Sequence, residues 1–118
     1  MTHLVSASLA GATIALLVLS TPASAHQPGA INCSYAMTKT AHAVCASRRL
    51  SRANETMNQL FDDARDLVTT RVQMQSLHAD QRTWAAKRDR CGSFRFCIWF
   101  RTKLRIKQLD RFMRRIDV

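Results

Sequence analysis

Apolar positions along the chain follow two kinds of pattern. Leu4 to Leu19 is dominated by Ala, Leu, Val and Ile and carries no charge. From Thr38 onward apolar residues recur mostly at steps of three and four: Ala41, Val44, Cys45, Leu50, Ala53, Met57, Leu60, Phe61, Ala64, Leu67 and Val68. That spacing lines one face of a helix. Thr38 is a suitable N-cap, and no Pro or Gly follows before Thr70. The pattern therefore predicts one long helix from about Thr38 to about Thr70, with the β-branched pair Thr69-Thr70 as its weak point. A second helix is expected from about Val72 to Arg90, on the stripe Leu77, Gln81, Trp84, Ala85 and Arg88. This stripe is unusually polar for a core face. Gly92 is placed to end it as a C′ residue. A third helix is expected from about Phe96 to Ile116, on the stripe Ile98, Thr102, Arg105, Ile106, Leu109, Phe112, Met113 and Ile116. No segment alternates as a strand does. The fold class read from the pattern is all-α, a three-helix antiparallel bundle.

The first run has a different meaning. It is followed by Ser20, Thr21, Pro22 and the small-residue triplet Ala23-Ser24-Ala25. An apolar stretch ending in A-x-A reads as a secretory signal cleaved after Ala25, although no Lys or Arg precedes it. A retained membrane anchor would need about 20 apolar residues, and the run is shorter. No cysteine stands at the cleavage point, so no lipoprotein signal is expected. The expected organisation is a signal peptide over 1–25, a loose arm over 26–37 with Pro28 and Gly29, and one helical domain over 38–118. The destination is periplasmic or secreted, with no transmembrane span after cleavage.

All four cysteines, Cys33, Cys45, Cys91 and Cys97, lie beyond the cleavage point. An even number in a short exported chain implies two disulfides, which a small core needs as staples. Three connectivities are open. There is no C-x-x-C, and the spacings do not fit zinc. No metal or cofactor is expected. His26, as a new N-terminus, has an amine and an imidazole but no second His nearby for copper.

Charge is uneven. The net charge is +10. Residues 26–80 carry 6 basic and 5 acidic residues, whereas 81–118 carry 12 basic and 3 acidic. Arg101, Lys103, Lys107, Arg111, Arg114 and Arg115 fall off the third helix's apolar stripe. Such a field draws anions. Catalysis has little support: Glu55 is the only Glu, the Asp residues sit on helix turns, and His42 and His78 have no nucleophile beside them. The chain reads as a binding protein and not an enzyme.

One set of residues is more specific. Gln81-x-x-Trp84-x-x-x-Arg88-Asp89-x-Cys91 is followed by Cys97-Ile98 and Arg105-Ile106-x-x-Leu109. It is preceded by Cys33, Cys45, Leu50, Asn54, Met57-Asn58 and Phe61. Together these resemble the LprI-type family, small exported helical domains named for a lysozyme inhibitor. The resemblance spans about Ile31 to Leu109. Departures are Asn54 where the pattern has Asp, Phe61 and Thr102 where it has Tyr, and Ala41 where a capping Glu is expected. If the family's Asp pairs with Arg88 or Arg105, that ion pair is missing, and the arginines must sit nearer water or find Asp62, Asp66 or Asp89.

The resemblance favours the pairs Cys33–Cys45 and Cys91–Cys97. The alternative ties the end of the second helix to the start of the first. It also implies a partner, a lysozyme, held by surface contact. Common animal lysozymes are strongly basic and would be repelled, so either an acidic lysozyme or a local acidic patch at Asp62, Asp63 and Asp66 is required. Trp84 is expected to pack between helices with Gln81 beside it, and Arg88 and Arg105 to bridge helices. The cluster FRFCIWFR (Phe94–Arg101) is partly left over for a surface. Candidate binding residues are Trp99, Arg101, Arg111 and Arg115, with Asp62 and Asp63. The competing partners are anionic envelope polymers or lipid headgroups. Export argues against nucleic acid as a partner in vivo, although so basic a chain would stick to DNA nonspecifically.

Overall fold

The structure, a computed structural model, describes Gly11 and residues 27–116. The signal-peptide reading of residues 1–25 therefore lies outside the described residues, apart from Gly11. Four α-helices follow a short 3-10 turn at Cys33–Tyr35: α1 (Lys39–Ala46), α2 (Arg48–Leu67), α3 (Arg71–Asp89) and α4 (Arg95–Ile116). No strand occurs among the described residues.

The long helix expected over 38–70 is two helices, so the count among the described residues is four and not three. The break is at Ser47, whose backbone is extended (φ −120°, ψ 118°) and which ends α1 and starts α2. Its Oγ accepts from the Leu50 N–H at 3.2 Å, and its own N–H donates to the Val44 carbonyl at 3.2 Å. Ser51 Oγ donates to that same carbonyl at 2.8 Å. Two serines thus satisfy backbone groups that a break would leave orphaned. The apolar stripe also slips here, from Cys45 to Leu50, so a straight helix would carry Leu50 off the core face.

The remaining boundaries follow capping chemistry. Thr38 Oγ1 accepts from Ala41 N–H at 3.0 Å, and Thr70 Oγ1 accepts from Gln73 N–H at 3.1 Å, opening α1 and α3. Gly92 lies just beyond α3 with φ 59°, a conformation that glycine adopts without steric cost.

Helices α2 and α4 run in the same direction. Arg49 meets Trp99 near their N-termini, and Phe61 and Ala64 share a core with Leu109 further along. They pack directly on each other, and helix α3 returns antiparallel alongside the pair. Two apolar clusters result. The larger joins Met57, Phe61 and Ala64 of α2 to Leu77, Trp84 and Ala85 of α3 and Leu109 of α4. The smaller joins Ala43 and Val44 of α1 to Leu50 and Ile98. Thr40 Oγ1 donates to the Gly92 carbonyl at 2.7 Å, tying α1 to the α3–α4 turn.

Both disulfides are formed as Cys33–Cys45 and Cys91–Cys97, each with Cα atoms 5.6 Å apart. The first pulls the 3-10 turn onto α1, and the second clamps the α3–α4 turn. In the chain-entropy account, loops this short contribute about 2–3 kcal/mol each. The arm is less loose than its Pro and Gly suggest. Gln27 is buried, and Gly29 (φ 73°) lies so close to α3 that a Cβ there would collide with Ala85.

Candidate functional site

The polar stripe of α3 is the centre of a buried seam. Gln81, with 0% of its surface exposed, uses both ends of its amide. Its Oε1 accepts from Arg105 Nε at 2.7 Å, and its Nε2 donates to Met57 Sδ at 3.1 Å. One side chain of α3 thereby joins α4 to α2, which is why an amide occupies a core position. One turn on, Trp84 Nε1 donates to the Arg101 carbonyl at 2.9 Å, satisfying the indole. The Arg88 guanidinium lies 4.8 Å from the Trp84 ring and is 2% exposed. Asp89 accepts from its Nε at 3.0 Å and its Nη2 at 2.9 Å. Phe61 packs edge-on against His78, with ring centroids 5.4 Å apart. Asn54 is buried on the same side of α2 as Met57 and Phe61. Gln81, Trp84 and Arg105 thus bridge helices, whereas the contacts of Arg88 with Trp84 and Asp89 stay within α3, against the expectation that Arg88 bridges helices.

The two arginines differ. Arg88 has its carboxylate in Asp89. Arg105 is 4% exposed, so it does not move toward water, yet it has no ion pair among the described residues. Gln81 and, at 3.4 Å, Gln108 are its acceptors, and its Nη2 has none. Burial lowers its pKa from the ordinary value, with the charge of Asp80 acting the other way. The group remains a cation, since arginine does not deprotonate in proteins.

Beside Arg105 opens a groove of about 680 Å³ between α3 and α4. Its floor is apolar, with Leu77, Trp84, Leu109, Phe112 and Ile116. Lys87, Arg101, Arg111 and Arg115 stand on its walls, and Asp80 is its single acid. Arg101, Arg111 and Arg115, singled out from sequence, are therefore brought together. Asp62 and Asp63 are not part of this groove. They are half-buried on α2, where Asp62 faces Arg65 at 3.6 Å and Asp63 accepts from Gln59 Nε2 at 2.9 Å. The proposed acidic patch is therefore partly engaged with its own helix.

A second surface forms where α4 begins. Phe94 and Phe96 are each 65% exposed and Phe100 is 47% exposed. Phe96 has Phe94, Trp99 and Phe100 around it, all at centroid distances of 6.4 Å. Trp99 is half-buried, with the Arg49 guanidinium 4.7 Å and the Lys103 ammonium 5.9 Å from its ring. Two shallow hollows flank it, of about 490 Å³ and 400 Å³, with Arg48, Arg49, Arg52, Arg95 and Lys103 on their rims. Arg48, Arg49 and Arg52 belong to α2 and were not among the candidates read from sequence. Only the parallel pairing of α2 with α4 brings them here.

Among the described residues, no group of three or more His, Cys, Asp or Glu side chains is placed to hold a metal, and no helix is long and apolar enough to cross a membrane. No cysteine is free. His42 and Glu55 are exposed on separate helices. Burial lowers the His78 pKa, assisted by the charges of Arg65 and Arg82. Comparison with known proteins finds no matching family model and no similar curated protein or solved structure.

Proposed function

We propose that the chain is an exported, LprI-like binding protein that acts by surface contact and not by catalysis, with a lysozyme as its partner class. The observation that supports this reading best is the use made of Gln81, Trp84 and Arg105, whose hydrogen bonds hold α2, α3 and α4 together, with Arg88 buried beside Trp84. Binding then falls to the outward-facing cationic groove between α3 and α4. Two disulfides fit an oxidising, extracytoplasmic compartment. The groove favours an acidic protein surface, hence an acidic lysozyme over a basic one.

The test is inhibition of basic and acidic lysozymes by the oxidised protein at low and moderate salt. Inhibition of an acidic lysozyme is expected. Arg111→Glu with Arg115→Glu should weaken it at least about tenfold, equivalent to about 1.4 kcal/mol. Asp62→Lys with Asp63→Lys should leave it within about threefold, a shift of under 1 kcal/mol. The opposite ranking would move the contact to α2, and failure to inhibit any lysozyme would remove this partner class.

A second reading has the same charge as its basis: a cell-envelope protein that binds anionic polymers or lipid headgroups. The exposed rings at the start of α4 favour it, because an anion-binding groove alone does not need them.

A further inference from the structure

We propose that the aromatic face at the start of α4, with the arginines at the start of α2, seats the protein on an anionic phospholipid membrane. This deepens the lipid-headgroup reading and is independent of the lysozyme reading.

Three observations carry it. First, Phe94, Phe96 and Phe100 are large apolar side chains left mostly in water, on a molecule that buries other rings completely, such as Phe61. A contiguous exposed apolar patch marks an interaction surface. Second, its rim is cationic. Arg48, Arg49, Arg52, Arg95 and Lys103 surround the two hollows beside Trp99, and none has an ion-pair partner among the described residues. Rings that enter the headgroup layer beside cations that meet lipid phosphates is the arrangement of interfacial binding. Third, rings and cations share one face. Phe96 has three aromatic neighbours with centroids 6.4 Å away, and the Trp99 ring has Arg49 at 4.7 Å and Lys103 at 5.9 Å. Mixed aromatic and basic character on one face suits docking in an anionic headgroup layer.

The patch is also held rigidly. The Cys91–Cys97 bond clamps the turn that carries Phe94 and Phe96, and Thr40 holds that turn to α1. Little backbone freedom is lost on docking.

The experiment uses protein recovered from an exporting host with its disulfides formed. Binding is measured by co-sedimentation with phosphatidylglycerol-containing vesicles and with phosphatidylcholine vesicles. Two variants are compared, Phe94→Ser with Phe96→Ser, and Arg111→Glu with Arg115→Glu. Circular dichroism and thermal midpoints check that both fold. Phosphatidylglycerol vesicles should be bound, phosphatidylcholine vesicles much less. The double serine variant should bind about 100-fold more weakly, roughly tenfold for each ring withdrawn from the interface. The double glutamate variant should retain most of the binding.

Binding abolished by the glutamates and untouched by the serines would overturn the patch while leaving the lipid reading intact. No vesicle binding at low salt would overturn both. Binding of a single-stranded oligonucleotide in place of vesicles, lost with the serines, would transfer the patch to nucleic acid and overturn the membrane assignment.

Discussion

The molecule contains two tryptophan–arginine pairs at nearly the same separation, and they are used in opposite ways. Arg88 lies 4.8 Å from the ring of Trp84, and Arg49 lies 4.7 Å from that of Trp99. The first pair is sealed between helices, with the indole N–H donating to a backbone carbonyl and the guanidinium paired with Asp89. The second sits at the surface beside three exposed phenylalanines. A cation over an aromatic ring is therefore not in itself a sign of function. What differs is burial. Trp84 and Arg88 are closed off from solvent, even though Arg88 Nη1 has no acceptor, whereas Arg49 is exposed and Trp99 only half-buried, so the second pair alone can meet a partner.

Substitution at the two tryptophans should separate the roles most widely. Trp84→Ala removes a core side chain together with its indole hydrogen bond to α4, and is expected to cost about 3–5 kcal/mol of stability. Trp99→Ala should cost about 1–2 kcal/mol, since its ring is only half-buried. Denaturant unfolding of the oxidised proteins measures both. Equal losses would mean that Trp99 is as much a core residue as Trp84, and the comparison would fail.

The seam itself can be dissected next. Gln81→Leu removes the main acceptor of a buried cation and should destabilise by about 2–4 kcal/mol. Adding Arg105→Met to that variant should recover part of the loss, because an apolar pair replaces an uncompensated charge. A double-mutant cycle measures the coupling directly. Additive losses would show that the two side chains do not depend on one another.

The smallest effect is a pH dependence. The His78 pKa is lowered in the folded state, chiefly by burial. The unfolded chain then binds the proton more readily, so stability falls as pH drops through the ordinary histidine pKa of about 6.5 toward the lower folded value. His78→Phe should flatten the stability profile between about pH 7 and pH 5 without abolishing folding. An unchanged slope in the variant would assign the pH dependence to other groups.

Much of the helical pattern was legible in the sequence because it depends on local spacing. Thr38, Gly92 and the stripes of α3 and α4 stand where steps of three and four put them. The break at Ser47 was hidden because neither Pro nor Gly marks it. Its signals were weaker ones, a serine N-cap and a five-residue step in the stripe. The helix-bridging use of Gln81 and Trp84 could be anticipated from their place on a core stripe. The burial of an unpaired Arg105 could not, since burial without a carboxylate runs against the usual cost of a lone charge. The cationic rim was missed for a topological reason. Arg48, Arg49 and Arg52 are remote in sequence from Trp99 and meet it only because α2 and α4 run parallel. The disulfide pairs came from resemblance, because spacing alone left three choices.

Hydrogen–deuterium exchange of the oxidised protein, alone and on phosphatidylglycerol vesicles, tests the contrast between interior and surface most directly. The account predicts that backbone amides around residues 81–88 and 101–109 are the slowest to exchange in the free protein and do not change on vesicles. It predicts new protection at residues 48–52 and 94–100. Rapid exchange along the seam, or vesicle protection centred on the C-terminal half of α4, would contradict it.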